Sequence, residues 1–157
     1  MRLAGRVGRH SQKSLSTANQ HRNLRGGGSE ILYIGCDLIR VIVADPNAQT
    51  LRALTTMLRE QPDVSLAGEA AGAEELLSLA GTRRADVILV DRLLSGCPIA
   101  TLLAKLHARI PRPFVIVMGS QPAHSRWALN AGADAFVSKG DDPEWLLESI
   151  HSYVNKE

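Results

Sequence analysis

Apolar residues fall into two alternating patterns along this chain. Short continuous runs rich in Val and Ile are separated by longer stretches in which Leu, Ile and Ala recur every three or four positions. The first pattern suits strands buried on both faces; the second suits amphipathic helices packed against them. Ile39 to Ala44 reads as the first strand, and the shorter apolar run Ile31 to Ile34 frays into it. Asp45-Pro46 then reads as a helix start, with Asp as the N-cap and Pro at the first helical position. That helix is expected to reach about Gln61, with Leu51, Leu54 and Leu58 on one stripe. Val64 to Gly68 is a second strand, and Ala73 to Ala80 a second helix burying Leu76, Leu77 and Ala80. The run Ala85 to Asp91 sets four apolar residues between two carboxylates and reads as a central strand ending on Asp91. Pro98 opens a third helix carrying Ile99, Leu102, Leu103, Leu106 and Ile110. Phe114 to Met118 is a fourth strand. A short helix from about Ala123 to Ala131 is closed by Gly132 as its C-terminal cap. Ala135 to Ser138 is a fifth strand, and Asp142-Pro143 caps a last helix with Leu146, Ile150, Tyr153 and Val154 on one face.

Five strands alternating with five helices over short connections imply a parallel sheet with right-handed crossovers and helices on both faces. The expected fold is α/β and doubly wound, a flavodoxin-like (βα)5 unit with strand order 2-1-3-4-5. In such a sheet the functional crevice lies beyond the carboxyl ends of the strands. Asp45, Asp91 and Lys139 follow strands one, three and five, and are predicted to share it. Two carboxylates and an ammonium suit a divalent cation and a phosphoryl oxygen, and a carboxylate can itself accept a phosphoryl group. Taken alone, Asp91 reads more readily as a turn or cap residue than as a reactive carboxylate, and Asp45 reads equally as the N-cap before Pro46.

Charge changes the picture at one end. The net charge of +2 conceals six Lys or Arg against one acid in residues 1 to 30, leaving 12 basic and 15 acidic residues in the remainder. The chain therefore reads as a disordered basic leader, 1–30, and a mildly acidic domain, 39–155. The leader has no apolar periodicity and ends in Gly26-Gly27-Gly28-Ser29. It reads as a solvated tail. Contact with nucleic acid is expected through that leader or not at all, and an organelle transit peptide is a minor alternative. Cys36 and Cys97 make no CxxC, which argues against a disulfide scaffold or zinc site, and Cys97 reads as a partly buried inert thiol. No apolar run approaches the length of a membrane helix. A cytoplasmic location without membrane contact is the expectation. Trp127 and Trp145 read as core or half-buried, with an interaction face as the alternative, and the five histidines show no metal-ligand spacing.

The chain resembles the receiver domain of two-component response regulators, in the flavour that precedes a helix-turn-helix output domain in the NarL/FixJ group. The resemblance spans about Ile39 to Asn155. It is carried by Val43-Ala44-Asp45, Gly68-Glu69-Ala70, Ala85 to Asp91, and the stretch Ala131-Gly132-Ala133-Asp134-Ala135-Phe136-Val137-Ser138-Lys139. No gap is needed between Asp45 and Asp91. The resemblance implies that Asp91 is the phospho-acceptor and that Lys139 contacts the acyl phosphate. It implies Mg2+ held by Asp45, Asp91 and the main-chain carbonyl of Leu93, and Phe136 as the aromatic switch. Pro46 stands where the family places a second acid, usually the direct metal ligand. The family's switch hydroxyl after strand four falls on Met118, or on Val117 if the following loop is not one residue shorter. Ser95 replaces a loop Pro, followed by Gly96.

The resemblance thus implies an atypical single-domain receiver without an output domain, not itself an enzyme, accepting a phosphoryl group on Asp91. Its implied partners are a histidine kinase or phosphotransfer protein and a downstream protein. A homodimer through the face formed by the fourth helix, fifth strand and fifth helix is also implied. The alternative is a pseudo-receiver, the same fold acting as a protein-interaction module without phosphate. A flavodoxin-like enzyme or nucleotide binder ranks last, because no GxGxxG or P-loop pattern occurs.

Overall fold

The computed structural model describes residues 37–155. The leader, Ile31 to Ile34 and Cys36 lie outside the described residues. The elements run β1 (Ile39–Ala44), α1 (Ala48–Arg59), β2 (Val64–Ala70), α2 (Ala73–Thr82), β3 (Val87–Asp91), α3 (Ile99–His107), β4 (Phe114–Gly119), α4 (His124–Asn130), β5 (Ala135–Ser138) and α5 (Pro143–Asn155). All neighbouring strands are parallel, and their order is β2-β1-β3-β4-β5, the flavodoxin-like order expected.

Strand pleat sorts the core into two layers. Ile42, Ala44, Ile88, Val90, Val115 and Val117 face Leu76 of α2, Leu102, Leu103 and Leu106 of α3, and Ala128 of α4. Val41, Val43, Val87, Leu89, Ile116 and Met118 face Leu58 of α1 and Leu146 and Ile150 of α5. The continuous apolar runs are thus read twice, once by each helical layer. Burying a Leu, Ile or Val of this kind contributes roughly 1.5–3 kcal/mol of transfer free energy.

Three expectations are corrected. Asp45 is not the N-cap of α1. Asn47 holds that place, its side chain accepting from the amides of Gln49 and Thr50. Ile110 does not extend the stripe of α3: the helix ends at His107, and Ile110 is 97% exposed. Pro111 disfavours helical backbone at the residue before it. Val154 is likewise exposed. The inward place near that end of α5 goes to Tyr153, whose hydroxyl donates to Asp86 Oδ1 at 3.3 Å.

Smaller boundary shifts have local causes. β2 continues past Gly68 because Val43 pairs with Glu69 and Ala44 with Ala70. β3 begins at Val87 because the Asp86 carboxylate is engaged, its Oδ2 accepting from the Arg40 amide at 2.9 Å. Gly132 closes α4 at φ +114°. Its amide donates to Leu129, and the Ala133 amide donates to Ala128. This is a Schellman closure, which needs the left-handed residue that glycine supplies. Asp142 caps α5, its Oδ1 accepting from the Glu144 amide at 2.9 Å.

Candidate functional site

Parallel pairing carries three chain ends to one edge. Ala44 pairs with Val90, so Asp45 and Asp91 are the next residues along neighbouring strands. Gly119 pairs with Ser138, and the Lys139 amide donates to the Gly119 carbonyl at 2.7 Å. Lys139 Nζ then lies 2.6 Å from Asp45 Oδ2 and 2.6 Å from Asp91 Oδ1. The three residues predicted to share a crevice do share one.

Every carboxylate oxygen there has a partner. Asp45 Oδ1 accepts from the Asn47 amide at 2.8 Å, and Asp91 Oδ2 from the Leu93 amide at 2.9 Å. Both are turns in which an Asp side chain takes the backbone amide two residues on. Each acid therefore has one oxygen held by the main chain and the other aimed at the ammonium. The Asp45 side chain is fully buried, that of Asp91 almost so, and Lys139 is partly open. Burial pulls the lysine pKa down, but its hydrogen bonds to Asp45 and Asp91 outweigh this, and the result lies above the ordinary value of 10.5. Lys139 is the ammonium of a buried, charge-assisted cluster that carries one net negative charge.

Met118 is the β4 residue paired with Asp91. Register partners face the same side, so Met118 shares the acid's side of the sheet and Val117 does not. Met118 is buried among the α1 and α5 layer, whereas Val117 belongs to the opposite core. Neither residue carries a hydroxyl, and Ser120 is exposed beyond the strand end. Phe136 lies on the opposite face, partly buried against the first core. Its ring closes on Gly119: a Cβ there would meet Phe136 Cε1 at 2.9 Å and His124 Nδ1 at 3.2 Å. Gly119 is what allows that approach. Leu93 places its amide against Asp91, while its side chain is exposed. A largely apolar groove of about 610 Å3 is lined by Leu54, Met57, Met118, Val137, Lys139 and Leu146 among others.

Some of this neighbourhood escaped sequence reasoning. Asn47 was readable as a competing cap, being an Asx residue just before the helical stretch. Arg92 carried a weaker signal, a cation directly after a buried apolar strand. Its guanidinium carbon lies 5.5 Å from the centre of the Trp127 ring. Trp127 and Trp145 are 43% and 58% exposed, so neither belongs to the core and each is about half-buried. Cys97 is partly buried against the first core, as expected. Among the described residues no helix is long and apolar enough to cross a membrane.

The family profile described as response regulator receiver domain matches residues 41–151. The nitrate/nitrite response regulator protein NarP of Escherichia coli is 30% identical over 115 residues, which cover 72% of this chain and 54% of that protein. A protein-glutamate methylesterase/protein-glutamine glutaminase of Methanospirillum hungatei is 30% identical over 125 residues, 75% of this chain but 35% of its own length. This chain thus spans about a third to about a half of such relatives. Among solved structures, the isolated REC domain of RcsB from Salmonella enterica serovar Typhimurium superposes with a TM-score of 0.67. It is 21% identical, covering 76% of this chain and 90% of that one. The signal receiver domain of NarL from Mycobacterium tuberculosis superposes with a TM-score of 0.62 at 24% identity, covering 76% and 95%. These structures share the fold. The sheet order, the cluster at its carboxyl edge and the profile match agree: the chain belongs to the receiver domain family of two-component response regulators.

Proposed function

We propose that Asp91 accepts a phosphoryl group from a phosphohistidine of a histidine kinase or phosphotransfer protein, and that Lys139 pairs with the resulting acyl phosphate. The observation that carries this reading is the 2.6 Å contact between Asp91 Oδ1 and Lys139 Nζ at the carboxyl edge of the sheet. In the step itself an Asp91 carboxylate oxygen attacks phosphorus. A P–O bond forms as the P–N bond to the donor imidazole breaks, and the imidazole keeps the electron pair and takes a proton. The ammonium of Lys139 faces the charge that gathers on the phosphoryl oxygens.

The donor set also suits a hard divalent cation. Two carboxylate oxygens already converge on one positive centre, the Lys139 ammonium. Mg2+ typically takes one or two carboxylates, with water and phosphate oxygens completing its shell. In this reading Asp45, Asp91 and the Leu93 carbonyl would hold it, and the ion when bound offsets charge on the phosphoryl oxygens. Pro46 contributes no carboxylate, so two acids are all that the loop after β1 and the end of β3 provide. Signalling runs through protein contacts of the α4–β5–α5 face, to a downstream partner or a second copy.

Intact mass after incubation with Mg2+ and acetyl phosphate tests the reading. One added phosphoryl group is expected on the native chain and none on Asp91→Asn. No gain, in a mixture that phosphorylates a control receiver, would overturn it in favour of a phosphate-independent interaction module.

A further inference from the structure

Arg92 directly follows the acceptor, and its amide extends the β3–β4 pairing by donating to the Met118 carbonyl at 2.9 Å. Its side chain leaves the Asp91 cleft for the α4 side, where the guanidinium stacks over the half-open Trp127 ring. No ion pair involves Arg92 among the described residues. The cation nearest to Asp91 in the chain is therefore held by an aromatic face, not by an acid.

The cleft is short of positive charge. Its lysine is already shared between two carboxylates. Met118 offers no hydroxyl to a phosphoryl oxygen, and Pro46 offers no further acid to strengthen a metal site. A phosphoryl group would add negative charge and three acceptor oxygens to a cluster that is already net negative. A bidentate, charge-assisted contact between guanidinium and phosphate is stronger than a cation–π contact at a solvent-exposed ring.

We propose that Arg92 is the second cation of the phosphoryl site, parked on Trp127 until Asp91 is phosphorylated. The guanidinium then turns to the phosphoryl oxygens and uncovers the ring. Trp127 lies on α4, so the charge change at Asp91 becomes a change of the α4 surface by way of Arg92. That route needs no β4 hydroxyl. The inference rests on the phosphorylation reading above.

The chain has two tryptophans, so Trp145→Phe leaves Trp127 as the sole indole reporter. The full chain with this substitution is incubated with Mg2+ and acetyl phosphate, and intact mass and tryptophan emission are followed in the same sample. Emission is expected to change with the same time course as the mass gain. Adding Arg92→Ala should give the uncovered-ring emission from the start, slow the phosphoryl gain, and leave emission unchanged as that slower gain proceeds. Adding Arg92→Lys should retain part of the change. A mass gain with unchanged emission, or an equal change in the Arg92→Ala protein, overturns the role of Arg92 and leaves phosphorylation standing. No mass gain overturns the phosphorylation reading and this inference together.

Discussion

Lys139 is the residue on which the charge balance of the cleft turns. Its ammonium separates two buried carboxylates whose remaining oxygens are committed to backbone amides. Removing one partner from a buried ionic cluster leaves charge without compensation. Lys139→Met is expected to cost about 3 kcal/mol at pH 7, the lower end of that range because the amine is partly open to water. The variant should also show a diagnostic pH dependence. Two acids left facing each other share a proton readily, which raises a carboxyl pKa in the folded state. Relative to the native protein, the variant should therefore regain stability as pH falls from 7 towards about 5. Urea unfolding at both values checks this. An equal deficit at the two pH values would show that the loss comes from packing. In the native protein the lysine pKa is raised on folding. Its contribution is present in full below the ordinary value of 10.5 and is lost only as pH rises through the raised one.

At the scale of elements, caps and one staple decide which side chains remain for chemistry. Asn47 satisfies two amides at the start of α1. Asp45 is thereby released from capping, and its second oxygen is available to Lys139. Asn47→Ala is expected to lower stability by about 1 kcal/mol, read as a shifted urea midpoint with unchanged slope. Asp134 ties three elements where the strands begin. Its carboxylate accepts from the Val115 amide at 2.8 Å and from Arg112 at 2.9 Å, and meets His107 Nε2 at 2.9 Å. Burial pushes its pKa up, but the Val115, Arg112 and His107 contacts prevail, and the result lies below the ordinary value of 3.8. A carboxyl lowered on folding stabilises above its unfolded pKa, and that stability is lost as pH falls through the folded one. Asp134→Asn should therefore be less stable at pH 7 and show a shallower decline between about pH 5 and 3. Circular dichroism during acid titration of both proteins measures the difference. Parallel curves would show that Asp134 does not carry this part of the acid sensitivity.

For the whole molecule, the local patterns and the tertiary arrangement settled different things. Strand and helix identities were legible because each is written in nearby residues: β-branched runs for strands, three- and four-residue spacing for helices, Gly132 for one helix end. Convergence of Asp45, Asp91 and Lys139 was legible because a doubly wound sheet brings the carboxyl ends of strands one, three and five together. Periodicity could not tell whether Asp45 caps a helix or meets a lysine 94 residues away. It could not choose between Val117 and Met118, because a one-residue change of register exchanges the two faces of the sheet. Nor could it show that Ile110 and Val154 fall outside the packed layers, that Phe136 closes on Gly119, or that Arg92 rests on Trp127. An amino-acid sequence by itself determines local backbone preference and which side of an element is apolar. Which group meets which across the sheet is decided only when strand register and helix packing bring distant residues to one edge, and the chemistry of this protein lies in those meetings.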